Sequence, residues 1–83
     1  MFKVFIEEKA SKELNRLPKK LKENILKKLK LLEQGFSFAL DVKKLKGYQN
    51  HYRLRVGEFR ILFYLEGRDI IVYKIGKRES VYE

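Results

Sequence analysis

The sequence predicts an α+β domain in which a helical hairpin packs on an antiparallel sheet, in the chain order β-α-α-β-β-β. Three observations lead there. Apolar residues recur every three or four positions between about residues 8 and 34, the spacing of one helix face, and then alternate from Tyr52 to Leu65, the spacing of one strand face. Pro18 and Gly35 stand at the joints of the helical part. Gly57-Glu58 separates two alternating runs by the two residues of a tight hairpin turn.

Taken in order, Phe2 to Ile6 is short and rich in β-formers, and gives a first strand. Ala10, Leu14 and Leu17 then line one face of a helix that starts at about Glu8. Pro18 lacks a backbone N–H and has a fixed φ, so it ends this helix and suits the first turn of the next. Leu21, Ile25, Leu29 and Leu32 form the apolar stripe of a second helix running to about Gln34, with Gly35 as its stop. Helices joined this tightly form an antiparallel hairpin, and their apolar faces require a sheet to cover. Tyr52–Val56, Phe59–Leu65 and Ile70–Ile75 supply it as a meander, with Glu66-Gly67-Arg68-Asp69 as the second turn and the N-terminal strand joining.

Eighty-three residues support one domain, 1–83. A chain this short buries roughly 60% of its unfolded surface. Forty-five per cent apolar content, with six Phe and five Tyr, still builds a core and excludes intrinsic disorder. No cysteine is present, which removes disulfides and thiolate zinc sites, and one His leaves no histidine cluster. No cofactor or metal is therefore expected. No apolar run approaches the ~18 residues of a membrane span, and Met1-Phe2-Lys3-Val4 leads into a strand rather than a signal peptide. The expectation is a soluble, cytoplasmic protein with no membrane partner. Twenty Lys+Arg against 11 Asp+Glu give a net charge of +9, which suits a polyanionic partner. Lys19, Lys20, Lys22, Lys27, Lys28 and Lys30 make the second helix basic, either as a solvated face or as an RNA-backbone or ribosome contact.

The two-residue turn fixes a register. Val56 pairs with Phe59, Arg55 with Arg60, Leu54 with Ile61 and Arg53 with Leu62. Tyr52, Leu54, Val56, Phe59, Ile61 and Phe63 then share the face that the helices cover, while Arg53, Arg55 and Arg60 share the other. Arg55 directly opposite Arg60 is destabilising on its own. Solvated arginines on the polar side of a half-buried sheet are the plain alternative; with Lys46 nearby, they read as an anion site. Guanidinium forks suit phosphate oxygens, and Tyr64 and Tyr73 offer ring faces on which an unpaired RNA base can stack. The place of Lys74 is open, on the core face after a two-residue Gly67-Arg68 turn or beside the arginines after a three-residue loop.

No Ser/His or Cys/His nucleophile–base pair can be assembled, and His51 stands alone. Any catalysis falls to arginines and lysines. Cleavage of RNA permits this, because the substrate's own 2′-hydroxyl is the nucleophile. The protein then has to align the attack and stabilise charge on the pentacoordinate phosphate, with no metal required.

Leu45-Lys46-Gly47, the run Tyr52-Arg53-Leu54-Arg55-Val56-Gly57-Glu58-Phe59-Arg60-Ile61-Leu62-Phe63-Tyr64 and the closing Gly76-Lys77-Arg78-Glu79-Ser80-Val81-Tyr82 resemble the RelE toxins of the RelE/ParE toxin–antitoxin superfamily. The closing segment resembles the ribonuclease branch. The resemblance spans essentially the whole chain and implies a ribosome-dependent endoribonuclease that cuts mRNA in the A site and halts translation. It also implies neutralisation by a RelB-like antitoxin, with operator DNA met only through the antitoxin complex. Carried over by position, Arg60 would hold the scissile phosphate, helped by Lys46. Arg53 and Arg55 stand where the best-known members have lysines near the reacting phosphate and 2′-hydroxyl. Arg78 would stabilise charge or protonate the leaving oxygen, and Tyr82 would stack on a base or assist proton transfer. Arginine keeps the charge, but its pKa above ~12 makes it a poor general base, so electrostatic roles transfer better than proton transfer. The alternatives are a ParE-like toxin that inhibits DNA gyrase by binding, and a non-catalytic RNA- or ribosome-binding module.

Overall fold

A computed structural model describes residues 1–36 and 40–77. Its elements are β1 (Lys3–Ile6), α1 (Glu8–Asn15), α2 (Lys19–Leu32), β2 (Asp41–Lys44), β3 (His51–Val56), β4 (Phe59–Glu66) and β5 (Asp69–Lys77). The strands form one sheet in the order β1-β5-β4-β3-β2. All neighbours are antiparallel except β1 and β5, which run parallel with Lys3 opposite Asp69. The expected helical hairpin on a sheet is present, with one strand more than the sequence indicates. That strand, β2, is four residues long with a single apolar side chain, Val42, and so offers no alternation to read.

The helices cover one face only. Ala10 and Leu14 of α1 and Ile25, Leu29 and Leu32 of α2 join Leu54, Ile61, Phe63 and Val72 of the sheet in a single core cluster. These are the positions that the helical and alternating spacings select. Pro18 sits at the N-cap of α2, and beyond its C-terminus Gly35 takes a φ of 120°. Gly57 and Gly67, at φ of 59° and 62°, open the two hairpin turns, a conformation glycine adopts without a Cβ clash.

The third and fourth hairpin strands resolve the position of Lys74. The Gly67-Arg68 turn is two residues long, since Glu66 pairs with Asp69. Phe63 then pairs with Val72 but Leu62 with Lys74, so Tyr73 is an extra residue in β5. This bulge shifts the alternation by one. Ile70, Val72 and Ile75 all stay in the core while Lys74 moves to the open face. Turn chemistry and strand alternation, which conflict in the sequence, are both satisfied.

Helix carboxylates close the exposed sheet edge. Val4 N–H on edge strand β1 donates to Glu33 Oε2 at 2.9 Å. β1 pairs with β5 only as far as Val72, and beyond it Ile75 N–H donates to Glu13 Oε1 of α1 at 2.8 Å. Both are backbone donors that would otherwise sit part-buried without a partner or offer a pairing edge. Glu13→Ala should therefore lower stability by about 1–2 kcal/mol, read as a reduced urea midpoint at unchanged m-value, whereas Glu13→Gln, which keeps an acceptor, should lose less.

Candidate nucleic-acid interface

Strand alternation puts every second residue of β2, β3, β4 and β5 on the face opposite the helices, and the register stacks them in rows. The first row is Asp41, Arg55, Arg60 and Gly76. The second is Lys43, Arg53, Leu62 and Lys74. The third holds His51, Tyr64 and Ile71. Arg55 faces Arg60 as the two-residue turn requires, and the structure brings Arg53, Arg55 and Arg60 together on one surface.

Two of these arginines are nearly buried: Arg53 is 7% exposed and Arg60 5%. Among the described residues, no buried side-chain nitrogen or oxygen lacks a hydrogen-bond partner, so the low exposure does not leave a guanidinium unsatisfied. A carboxylate that the sequence reading misses supports the cluster. Asp41 Oδ2 accepts from Arg55 Nε at 3.0 Å, and its Oδ1 lies 3.4 Å from Arg53 Nη2. Asp41 follows from the unforeseen strand β2; without that strand nothing in the sequence sets it beside Arg55. Its charge offsets part of the like-charge repulsion within the first row.

Along β3 the surface changes from cationic to aromatic. His51 has three tyrosine rings around it, Tyr48 at 5.6 Å, Tyr64 at 5.5 Å and Tyr73 at 5.6 Å between centroids. Tyr64 and Tyr73 lie 6.0 Å apart, in contact because the bulge places Tyr73 there. His51 Nδ1 is 2.7 Å from the Gln49 carbonyl oxygen. A carbonyl only accepts, so Nδ1 carries the proton and the basic nitrogen of the neutral ring is Nε2. Partial burial among these rings, with the Glu7 and Glu66 carboxylates nearby, raises the Tyr64 phenol above its ordinary value. Burial, and then Tyr48, raises Tyr73. Both phenols therefore stay protonated at neutral pH and act as hydrogen-bond donors rather than bases.

Lys46 lies in the exposed loop between β2 and β3, lining a shallow groove with Leu45, Tyr48 and Gln49 at the His51 end of the strand. It is thus set apart from Arg60, which lies at the opposite end of the β3–β4 hairpin. Arg78 and Tyr82 lie outside the described residues. No three His, Cys, Asp or Glu side chains come together to hold a metal ion among the described residues. No helix among them is long and apolar enough to cross a membrane. A band of guanidinium groups leading into a ring cluster can clamp phosphates and stack bases of a single strand.

A family described as the ParE toxin of the type II toxin–antitoxin system parDE matches residues 4–82. Two curated relatives come from Methanocaldococcus jannaschii. The chain is 38% identical to putative toxin RelE1 over 90 residues, 99% of this chain and 96% of that one. It is 48% identical to toxin RelE3 over 44 residues, which is 53% of this chain and 50% of RelE3. The chain thus spans about half the length of RelE3 and nearly all of RelE1. Among solved structures, a chain of the RelB–RelE antitoxin–toxin complex from Methanococcus jannaschii superposes with a TM-score of 0.80 at 31% identity, covering 94% of each chain.

Two measurements check the site's electrostatics. Asp41→Asn should lower stability by about 1–2 kcal/mol, because Arg53 and Arg55 lose the negative charge between them and one of its two acceptor oxygens, and the loss should shrink at high salt. In an absorbance titration of phenolate, Tyr64→Phe and Tyr73→Phe should each remove a phenol that ionises later than pH 10. The sign for stability follows: the folded state holds those protons more tightly, so their contribution is present below about pH 10 and lost as pH rises through the higher folded values.

Proposed function

The chain belongs to the RelE/ParE family of toxins from type II toxin–antitoxin systems, and from that premise we propose that it is a ribosome-dependent endoribonuclease. It cuts mRNA in the A site by metal-free attack of the 2′-hydroxyl and thereby inhibits translation in the cytoplasm. The observation that supports this most is the pair of adjacent register rows carrying Arg53, Arg55 and Arg60 on the face the helices leave open. Arg60 holds the scissile phosphate. Arg53 and Arg55 stabilise the charge that grows on the pentacoordinate phosphorus, a role that needs a fixed positive group and no proton transfer. Tyr64 offers a stacking surface to a neighbouring base. Lys46 contacts the RNA backbone from its loop; Arg78 assists the leaving oxygen and Tyr82 stacks or shuttles a proton.

The partner that restrains it is a RelB-like antitoxin, a reading supported by a solved relative that is itself a RelB–RelE complex. Operator DNA is met only through that complex. A second reading, binding and inhibition of gyrase, draws on the ParE name of the matching family. A gyrase binder has no use for three guanidinium groups gathered on one sheet face, two of them nearly buried.

Translation with purified ribosomes separates the readings, with mRNA 5′ ends mapped by primer extension. Wild type should give new cuts inside the A-site codon. Arg60→Ala should reduce their rate by about 10²–10³-fold, with folding checked by its thermal melt. No cuts with translation intact would transfer the function to gyrase. Inhibition without cuts would leave an RNA- or ribosome-binding module.

A further inference from the structure

We propose that His51 is the proton-transfer residue of the cleavage step, with Nε2 as the base that takes the 2′-hydroxyl proton; this rests on the ribonuclease reading above. The chain contains one His and no Cys, so His51 is its one imidazole and no thiol competes with it for proton transfer. Arginine holds its proton throughout, and positions 53 and 55 are both arginine. The arginine face can therefore stabilise charge but cannot collect the proton that the nucleophile must lose.

On the open face His51 stands one register row from Arg53 and two from the Arg55–Arg60 pair. It lies on the same face as Arg53 and two residues away along β3, a separation of about 6.8 Å. The Gln49 carbonyl at 2.7 Å takes the Nδ1–H, which leaves Nε2 as the acceptor. Its carrier loop is pinned at both sides, by Leu45 N–H on the His51 carbonyl and Leu65 N–H on the Asn50 carbonyl, each at 2.9 Å. Asn50 itself is held at a φ of 59°, a left-handed conformation that turns Gln49 back toward the ring. Fixing a tautomer through one nitrogen to present the other is the arrangement that general bases use.

The step balances. The 2′-oxygen loses its proton to Nε2 and bonds to phosphorus, while the P–O5′ bond breaks and its electron pair leaves with O5′, which takes a proton from water. The products are a 2′,3′-cyclic phosphate and a 5′-hydroxyl, and the imidazolium returns its proton to solvent. The ionisable groups facing the ring are Tyr48 from the loop, Tyr64 from β4 and Tyr73 from β5, with Arg53 next along β3. The Tyr64 and Tyr73 phenols are both raised above the ordinary value and keep their protons through neutral pH.

Single-turnover cleavage of ribosome-bound mRNA is measured between pH 5.5 and 8 for wild type, His51→Gln and His51→Ala, with and without added imidazole. Binding is measured separately on mRNA carrying a 2′-deoxy residue at the cut. Wild type should gain rate about tenfold per pH unit up to a plateau. Both variants should lose about 10²–10⁴-fold at the plateau, lose the acidic limb and keep their affinity for the 2′-deoxy mRNA. Imidazole should restore part of the rate and the limb to His51→Ala, a result that an unfolded protein cannot give. An acidic limb that persists in the variants overturns the assignment, as does an effect on affinity alone with the plateau unchanged. Wild type cutting with loss in Arg60→Ala but not in the His51 variants sinks His51 and keeps the ribonuclease. No wild-type cutting sinks both.

Discussion

A pleated strand sends alternate residues to opposite faces, and this fold depends on keeping that alternation in phase across four strands at once. One face carries the whole burden of folding, through a core shared by two short helices and the apolar half of the sheet. The other face is left to chemistry. A slip of one residue in any central pairing would exchange Arg55 with Leu54 or Arg60 with Ile61, and would lose the core and the arginine face together. The two-residue turns at Gly57 and Gly67 hold that phase locally, and the Tyr73 bulge restores it where β5 would drift out.

Concentrating guanidinium groups on the second face has an energetic cost that the surroundings divide. Asp41 sits in the same row as Arg55 and Arg60 and reaches Arg53 in the next. Lys43 and Lys74 stand at the two ends of the second row and extend its positive field across the sheet. The tyrosines change the character of the surface within one register row, from guanidinium groups to aromatic rings.

Most of the fold was legible because its signals are periodic. Leu21, Ile25, Leu29 and Leu32 can only be one helix face, and Gly57-Glu58 between alternating runs sets a register that the structure reproduces pair by pair. What stayed hidden was aperiodic or relational. Strand β2 has one apolar residue and exists because β3 offers it an edge, so Asp41 gave no sign of its role. The aromatic setting of His51 depends on a loop, β4 and the bulge of β5 meeting beside it, none of which spacing reveals. Lys46 lies in the loop between β2 and β3, and its distance along the hairpin from Arg60 needed the register and loop together.

The parallel pairing of β1 with β5 bears on the order in which the protein comes into being. Lys3 finds Asp69 only after a loop of nearly the whole intervening chain has closed, and β5 is the strand that both β1 and β4 flank. During synthesis from the N-terminus, β1 and both helices emerge with no sheet to receive them, and a β3–β4 hairpin alone is marginal in water. The sheet behind the arginine face is therefore incomplete until β5 has emerged. The strand that completes the sheet thus joins the first segment of the chain to the hairpin that carries Arg53, Arg55 and Arg60.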